Sequence, residues 1–154
     1  GFKMKIFVGT DHNGFYLKAK LLDYLTQRGY ATEDVSAKEL DPNDDFPEFA
    51  QKAVVKIKSS EDTDPRAILL CGGGQGMCMA ANRFKGIRAA VIWDAEEAKW
   101  TRNDNDSNVL CLPSRIFDKP EKTEEWKQVV DTWLETPFAD APRFRRRNKQ
   151  IDEV

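Results

Sequence analysis

Ala67-Ile68-Leu69-Leu70-Cys71-Gly72-Gly73-Gly74-Gln75-Gly76-Met77 joins a short apolar run to a cysteine and then to a loop with glycine at four of five positions. The run is apolar without alternation, which predicts a strand buried on both faces. The glycines let backbone N–H groups converge on a small anion without side chains in the way. Met77 to Phe84 is expected to form a helix whose N-terminus points back at the loop. Cys71 would then sit beside free donors and a positive dipole end, a setting that favours a thiolate. A base facing an anion hole is what proton abstraction beside a carbonyl needs. The plainer alternative is a tight strand-to-helix turn with an inert buried cysteine, and the run of glycines weighs against it. A nucleotide site fits poorly. Met77 or Met79 stands where the dinucleotide fingerprint wants a third glycine or alanine, and no Gly-Lys-Ser/Thr ending follows.

Outward from this segment the pattern alternates between strand and helix. Lys5–Thr10, Tyr30–Val35, Ala67–Leu70, Ile87–Trp93 and Val109–Leu112 are the expected strands. Phe15–Arg28, Phe46–Lys58, Met77–Phe84, Ala95–Arg102 and Thr123–Leu134 are the expected helices. Gly29 is a stop for the first helix and Asp94 and Thr123 are caps for the last two. Such alternation argues for a five-stranded parallel sheet with helices on both faces, a three-layer Rossmann-like α/β fold. A single domain over residues 4–136 is expected, followed by a basic extension over 137–154 that would contact a partner subunit. Sites in such sheets lie at the C-terminal strand ends. Asp11-His12, Cys71-Gly72, Asp94 and Pro113-Ser114-Arg115 all follow strands and should share one edge.

The chain has 154 residues, 40% of them hydrophobic and 32% charged, with a formal charge of -2. That balance gives no global attraction to nucleic acid or to an anionic membrane. No apolar run approaches the ~20 residues of a membrane span. The N-terminal apolar stretch is short and reads as a strand, not a leader. Cys71, Cys78 and Cys111 lack disulfide- or metal-like spacing, which favours a reducing cytoplasm. His12 is the only histidine, so no multi-histidine metal site and no two-histidine mechanism is possible.

Three further clusters are candidates. Asp11 can orient His12, which can donate to a phosphate or hydroxyl; equally, Asp11 or Asn13 could simply cap a helix. Asn103-Asp104-Asn105-Asp106-Ser107-Asn108 is a polar cluster that could be a capping turn and nothing more. In the tail, Arg143 and Arg147 would share one face of a helix and could clamp a phosphate, in this chain's site or a neighbouring subunit's. A solvated tail and a nucleic-acid contact are the alternatives.

Gly9-Thr10-Asp11-His12-Asn13-Gly14-Phe15, Ile68 to Gly76, Ala80-Ala81-Asn82-Arg83-Phe84-Lys85-Gly86-Ile87-Arg88-Ala89, Asn105-Asp106-x-Asn108-Val109-Leu110 and Ser114-Arg115 follow one another in that order. With these blocks the chain resembles the ribose-5-phosphate isomerase B and galactose-6-phosphate isomerase family, from about Lys5 to Arg147. The resemblance implies an aldose–ketose isomerase of phosphorylated sugars that works through an enediolate, without metal or other cofactor. It implies a homo-oligomer, dimer or tetramer, with sites shared between subunits. Carried over, Cys71 is the base between C1 and C2. Other members use a downstream glutamate, where this chain has Met77. The backbone N–H groups of Gly72, Gly73, Gly74, Gln75 and Gly76 would hold the enediolate oxygen. Asp11, His12 and Asn105 would contact the sugar, and Arg115, Arg143 and Arg147 its phosphate.

Three positions depart from the family pattern. Gly73 replaces a threonine that assists at the substrate oxygen, Phe144 replaces a tail histidine, and Asp104 replaces the histidine that opens the sugar ring. Ring opening needs a proton moved from the anomeric hydroxyl to the ring oxygen, and a carboxylate is a poor donor near pH 7. Ribose 5-phosphate activity is therefore expected to be weakened unless Asp104 substitutes. The alternatives are a tetrose or hexose phosphate substrate, or a non-catalytic sugar-phosphate-binding subunit. Retention of Cys71 argues against the last.

Overall fold

The computed structural model describes residues 4–154. Five strands, β1 (Lys5–Thr10), β2 (Ala31–Asp34), β3 (Arg66–Cys71), β4 (Ala89–Val91) and β5 (Val109–Pro113), form one sheet in the order β2-β1-β3-β5-β4. Every pairing is parallel. The three central strands are buried almost throughout, as unalternating apolar runs require.

Successive side chains of a strand point to opposite faces, and the core divides accordingly. Ile6, Val8, Ile68, Leu70, Leu110 and Leu112 pack with Leu17, Leu21 and Leu25 of α1 (Phe15–Gln27) and Trp126, Val129, Val130 and Trp133 of α6 (Thr123–Glu135). Phe7, Ala67, Leu69, Val109 and Cys111 pack with Phe49, Ala53 and Val54 of α2 (Phe46–Ser59) and Met77 and Ala81 of α3 (Gln75–Ala81). This is the expected three-layer α/β fold. The remaining helices are α4 (Ala95–Asn105), α5 (Ser114–Phe117) and α7 (Pro142–Ile151).

Several boundaries differ from the sequence expectation. The β4 strand is shorter than 87–93 because the Arg88 N–H is given to the Asn108 side chain at 2.8 Å before the ladder begins. Helix α3 starts at Gln75, not Met77, directly after Gly74 turns the chain with φ 72. It stops at Ala81, where the Asn82 side chain pairs with both backbone groups of Ala89. Thr123 is the first residue of α6 and not its cap; its hydroxyl donates to Pro120 O at 2.9 Å. The tail is not a loose extension. Its linker Ala139 N–H donates to Asn103 O at 3.1 Å, Asn148 of α7 reaches Asn105 O at 3.1 Å, and Asp152 accepts the Gly86 N–H at 3.0 Å.

Candidate active site

The C-terminal ends of β1, β3 and β5 meet around a cavity of about 430 Å³ lined by Asp11, Asn13, Phe46, Cys71, Gly72, Gly73, Gly76, Ser114, Arg115 and Asp118. The β1 end builds its first wall. Asp11 accepts the Asn13 N–H at 2.9 Å and starts a 3-10 turn, His12–Gly14, that runs into α1. Gly14 is forced by close approach, since a Cβ there would overlap Thr10 Oγ1 and lie 2.7 Å from Leu70 Cβ. Gly14→Ala is therefore expected to cost about 1–3 kcal/mol through overpacking, read as a lower urea midpoint with the same denaturant slope.

The β3 end supplies the thiol. Cys71 is 6% exposed. Ser114 Oγ lies 3.2 Å from Cys71 O and 2.9 Å from Asn13 O, so one hydroxyl ties the loops after β1 and β3 to β5. The Arg115 N–H donates to Gly72 O at 3.0 Å. The Arg115 guanidinium lies across the glycine loop: a Cβ at Gly73 would stand 2.7 Å from Arg115 Nη2. Glycine at 73 thus gives a cation the space a threonine would take. Gly76 admits the Phe46 ring, whose atoms would lie 2.7–3.0 Å from a Cβ there. Gly74 and Gln75 do not line the cavity. Gly74 is buried against Leu112 and Pro113, and the exposed Gln75 opens α3.

His12 stands beside the cavity, between the lining residues Asp11 and Asn13, and does not itself line it. Its Nδ1 is 2.7 Å from Asp44 Oδ1, and its backbone N–H donates to the same oxygen at 3.0 Å. The hydrogen bond to Asp44 raises His12 above its ordinary range, while burial raises the Asp11 carboxyl despite the Asn13 N–H. Asp11, His12 and Asp44 bring three ligand-type atoms within 4.8 Å of one another. The Nδ1 of that set is committed to Asp44, so the arrangement is a hydrogen-bonded acid–base pair.

Asp104, Asn105, Arg143 and Arg147 do not line this cavity. Asp104 and Asn105 end α4, just before β5 begins, at the sheet edge opposite Cys71. Asp106 adopts φ 49 as the C-cap of α4, and Asn108 holds Arg88, so the polar cluster does serve as a capping turn. Arg143 and Arg147 are exposed on α7, which is docked beside the same α4 end. One chain therefore carries two separate groups of candidate residues. Asp44 and Phe46 were not read from the sequence. Asp44 stands in the segment between β2 and α2 and Phe46 opens α2, and the strand-end rule applied to β2 would have pointed there.

Next to the loop, Cys78 is brought down to about 7 by a hydrogen bond from Cys111, against the opposing effect of burial. The fully buried Cys111 is pushed well above its ordinary value. Iodoacetamide labelling followed by peptide mass analysis should show Cys78 reacting with a midpoint near pH 7, with Cys111 silent in the folded protein.

A family model described as Ribose/Galactose Isomerase matches residues 6–151. This chain belongs to the ribose/galactose isomerase family. Within that family it is similar to a probable ribose-5-phosphate isomerase B of Mycoplasma pneumoniae, 38% identical over 95% of this chain and 92% of that protein. The fold is similar to the crystal structure of a ribose 5-phosphate isomerase from Thermotoga maritima, with a TM-score of 0.89 at 41% identity, covering 97% of this chain and 98% of that one. It is also similar to ribose-5-phosphate isomerase B from Mycoplasma genitalium with bound ribulose-5-phosphate, with a TM-score of 0.88 at 34% identity over 99% and 97% of the two chains. The Cys71 loop falls inside the matched region.

Proposed function

We propose that the chain interconverts ribose 5-phosphate and ribulose 5-phosphate. The observation that carries this reading is the Cys71 thiol set in a cavity with a glycine loop, a guanidinium and a carboxylate, in a chain of this family. Cys71 takes the proton from C2 of the open-chain aldose, and the electron pair forms a cis-enediolate. The same sulfur returns the proton to C1. Backbone N–H groups of Gly72, Gly73 and Gly76 and the Arg115 guanidinium stabilise the developing oxyanion. These groups suffice without a metal ion or other cofactor.

The substrate's phosphate is held by Arg143 and Arg147 of a second copy of this chain. Asp104, Asn105, Arg143 and Arg147, all absent from the Cys71 cavity, are gathered on α7 and the end of α4, which supports a site completed by a partner. Met79, Trp93 and Trp100 are 68%, 52% and 45% exposed, and apolar side chains of this size suit burial against a second copy. None of the described helices is long and apolar enough to cross a membrane. Three free cysteines suit a reducing compartment, the cytoplasm.

The test is aldose–ketose interconversion on four-, five- and six-carbon sugar phosphates, with a chelator present and absent. Turnover of ribose 5-phosphate that persists in chelator supports the reading. Turnover confined to a tetrose or hexose phosphate replaces the substrate and keeps the chemistry. No turnover on any of them sinks the enzyme.

A further inference from the structure

The carboxylate of Asp44 has one evident task. Its Oδ1 accepts from His12 twice, from the backbone N–H at 3.0 Å and at Nδ1 at 2.7 Å. It does not cap α2, whose N-cap is Asp45. A carboxylate only accepts, so Nδ1 carries the proton and Nε2 is the atom free to exchange one. The Asp44 side chain is 10% exposed and that of His12 31%, so the anchor is covered while the imidazole edge is open. The groups facing His12 are Asp11 from its own turn and Asp44 and Asp41 from the segment before α2, all acidic. The imidazolium is thus favoured, beside a buried Asp11 carboxylate that lines the Cys71 cavity.

Resting on the ribose 5-phosphate reading, we propose that Asp11 and His12, the latter positioned by Asp44, open the furanose ring of the substrate before Cys71 acts. The Asp11 carboxylate takes the proton of the anomeric hydroxyl, and that electron pair forms the C1=O1 double bond. The C1–O4 bond breaks, and O4 takes the Nε2 proton of the His12 imidazolium. The proton on Asp11 then passes to solvent, and His12 Nε2 takes one back from solvent. The pair ends as it began, and no outside reagent is consumed. In this scheme Asp104 is not needed as a proton donor. Asp11 and His12 touch the sugar, and Asp44 is a positioning residue.

Two assays separate ring opening from proton transfer at carbon. Ribulose 5-phosphate cannot close a five-membered ring, because the oxygen required carries the phosphate. Solvent deuterium entering its C1 therefore reads the Cys71 step alone, whereas conversion of ribose 5-phosphate reads both steps. General acid catalysis contributes about 10²–10⁴-fold, so the ratio of conversion to exchange should fall about 100-fold in His12→Gln and about tenfold in Asp44→Asn. Asp44→Glu should restore most of it. In Asp44→Asn the alkaline limb of conversion should move to lower pH while the exchange profile stays in place, because losing the Asp44 charge lowers His12. Conversion and exchange falling in parallel, or neither falling, overturns the ring-opening role and leaves the isomerase intact. Wild-type protein that shows neither activity overturns the isomerase and this inference together.

Discussion

Cys71→Ala should abolish ribose 5-phosphate turnover while leaving the affinity for ribulose 5-phosphate within about threefold. Removing a general base costs about 10²–10⁴-fold, and the other groups of the cavity are engaged elsewhere, Asp118 with Lys20 at 3.3 Å. Met77, where the resemblance implies a glutamate in other members, is fully buried. Asp11 lies on the β1 side of the cavity, where it is assigned the anomeric hydroxyl and not C2. Arg115 is a guanidinium with donors and no acceptor. Cys71→Ser should be nearly as inactive, because a serine hydroxyl without a neighbouring base does not ionise at pH 7. The fold should survive both changes, since the loop is held by Ser114 and by the Arg115 N–H through backbone oxygens that the substitutions leave in place. Steady-state rates with calorimetric binding of ribulose 5-phosphate check this. Loss of binding in step with loss of rate would make Cys71 a packing residue instead.

Much of this site was legible because parallel α/β sheets gather chemistry at strand ends. The apolar runs at Lys5–Thr10 and Ala67–Leu70 locate two of those ends, and glycine is demanded where φ is 72 at Gly74. The placement of Cys71, Gly72, Gly73, Gly76, Asp11 and Arg115 around one cavity follows from that rule. What escaped has physical reasons. Asp44 lies in the polar segment after β2, a short strand with no fully buried residue, and Phe46 is the first residue of the helix that follows. Their roles come from long-range contacts, Asp44 with His12 and Phe46 with Gly76, which no local pattern encodes. The space at Gly73 is likewise filled by Arg115, 42 positions along the chain (115 minus 73). The tail was legible as basic and as a possible helix. Its docking on α4 depends on single hydrogen bonds from Ala139 and Asn148 that composition does not announce.

Mixing two inactive proteins should restore activity. The Cys71 cavity and the Arg143–Arg147 face occupy different parts of one chain, so a site shared between two copies predicts complementation. Cys71→Ala lacks the base but keeps both arginines. Arg143→Ala with Arg147→Ala keeps the base but loses two cations on exposed helical surface, a change with little reason to unfold the chain. Losing a charge-assisted pair of phosphate contacts should weaken substrate binding and cut kcat/KM by about 10²-fold or more. If the proteins are unfolded and refolded together in equal amounts, half of the resulting dimers carry one chain of each kind. Each such dimer has one doubly damaged site and one intact site, so the mixture should recover about a quarter of wild-type activity. Neither protein refolded alone should recover any. A mixture as inactive as its components, with heterodimers demonstrated by native mass spectrometry, would place base and arginines in the service of the same chain. That outcome would require α7 to leave its position beside α4, and it would exclude the shared site.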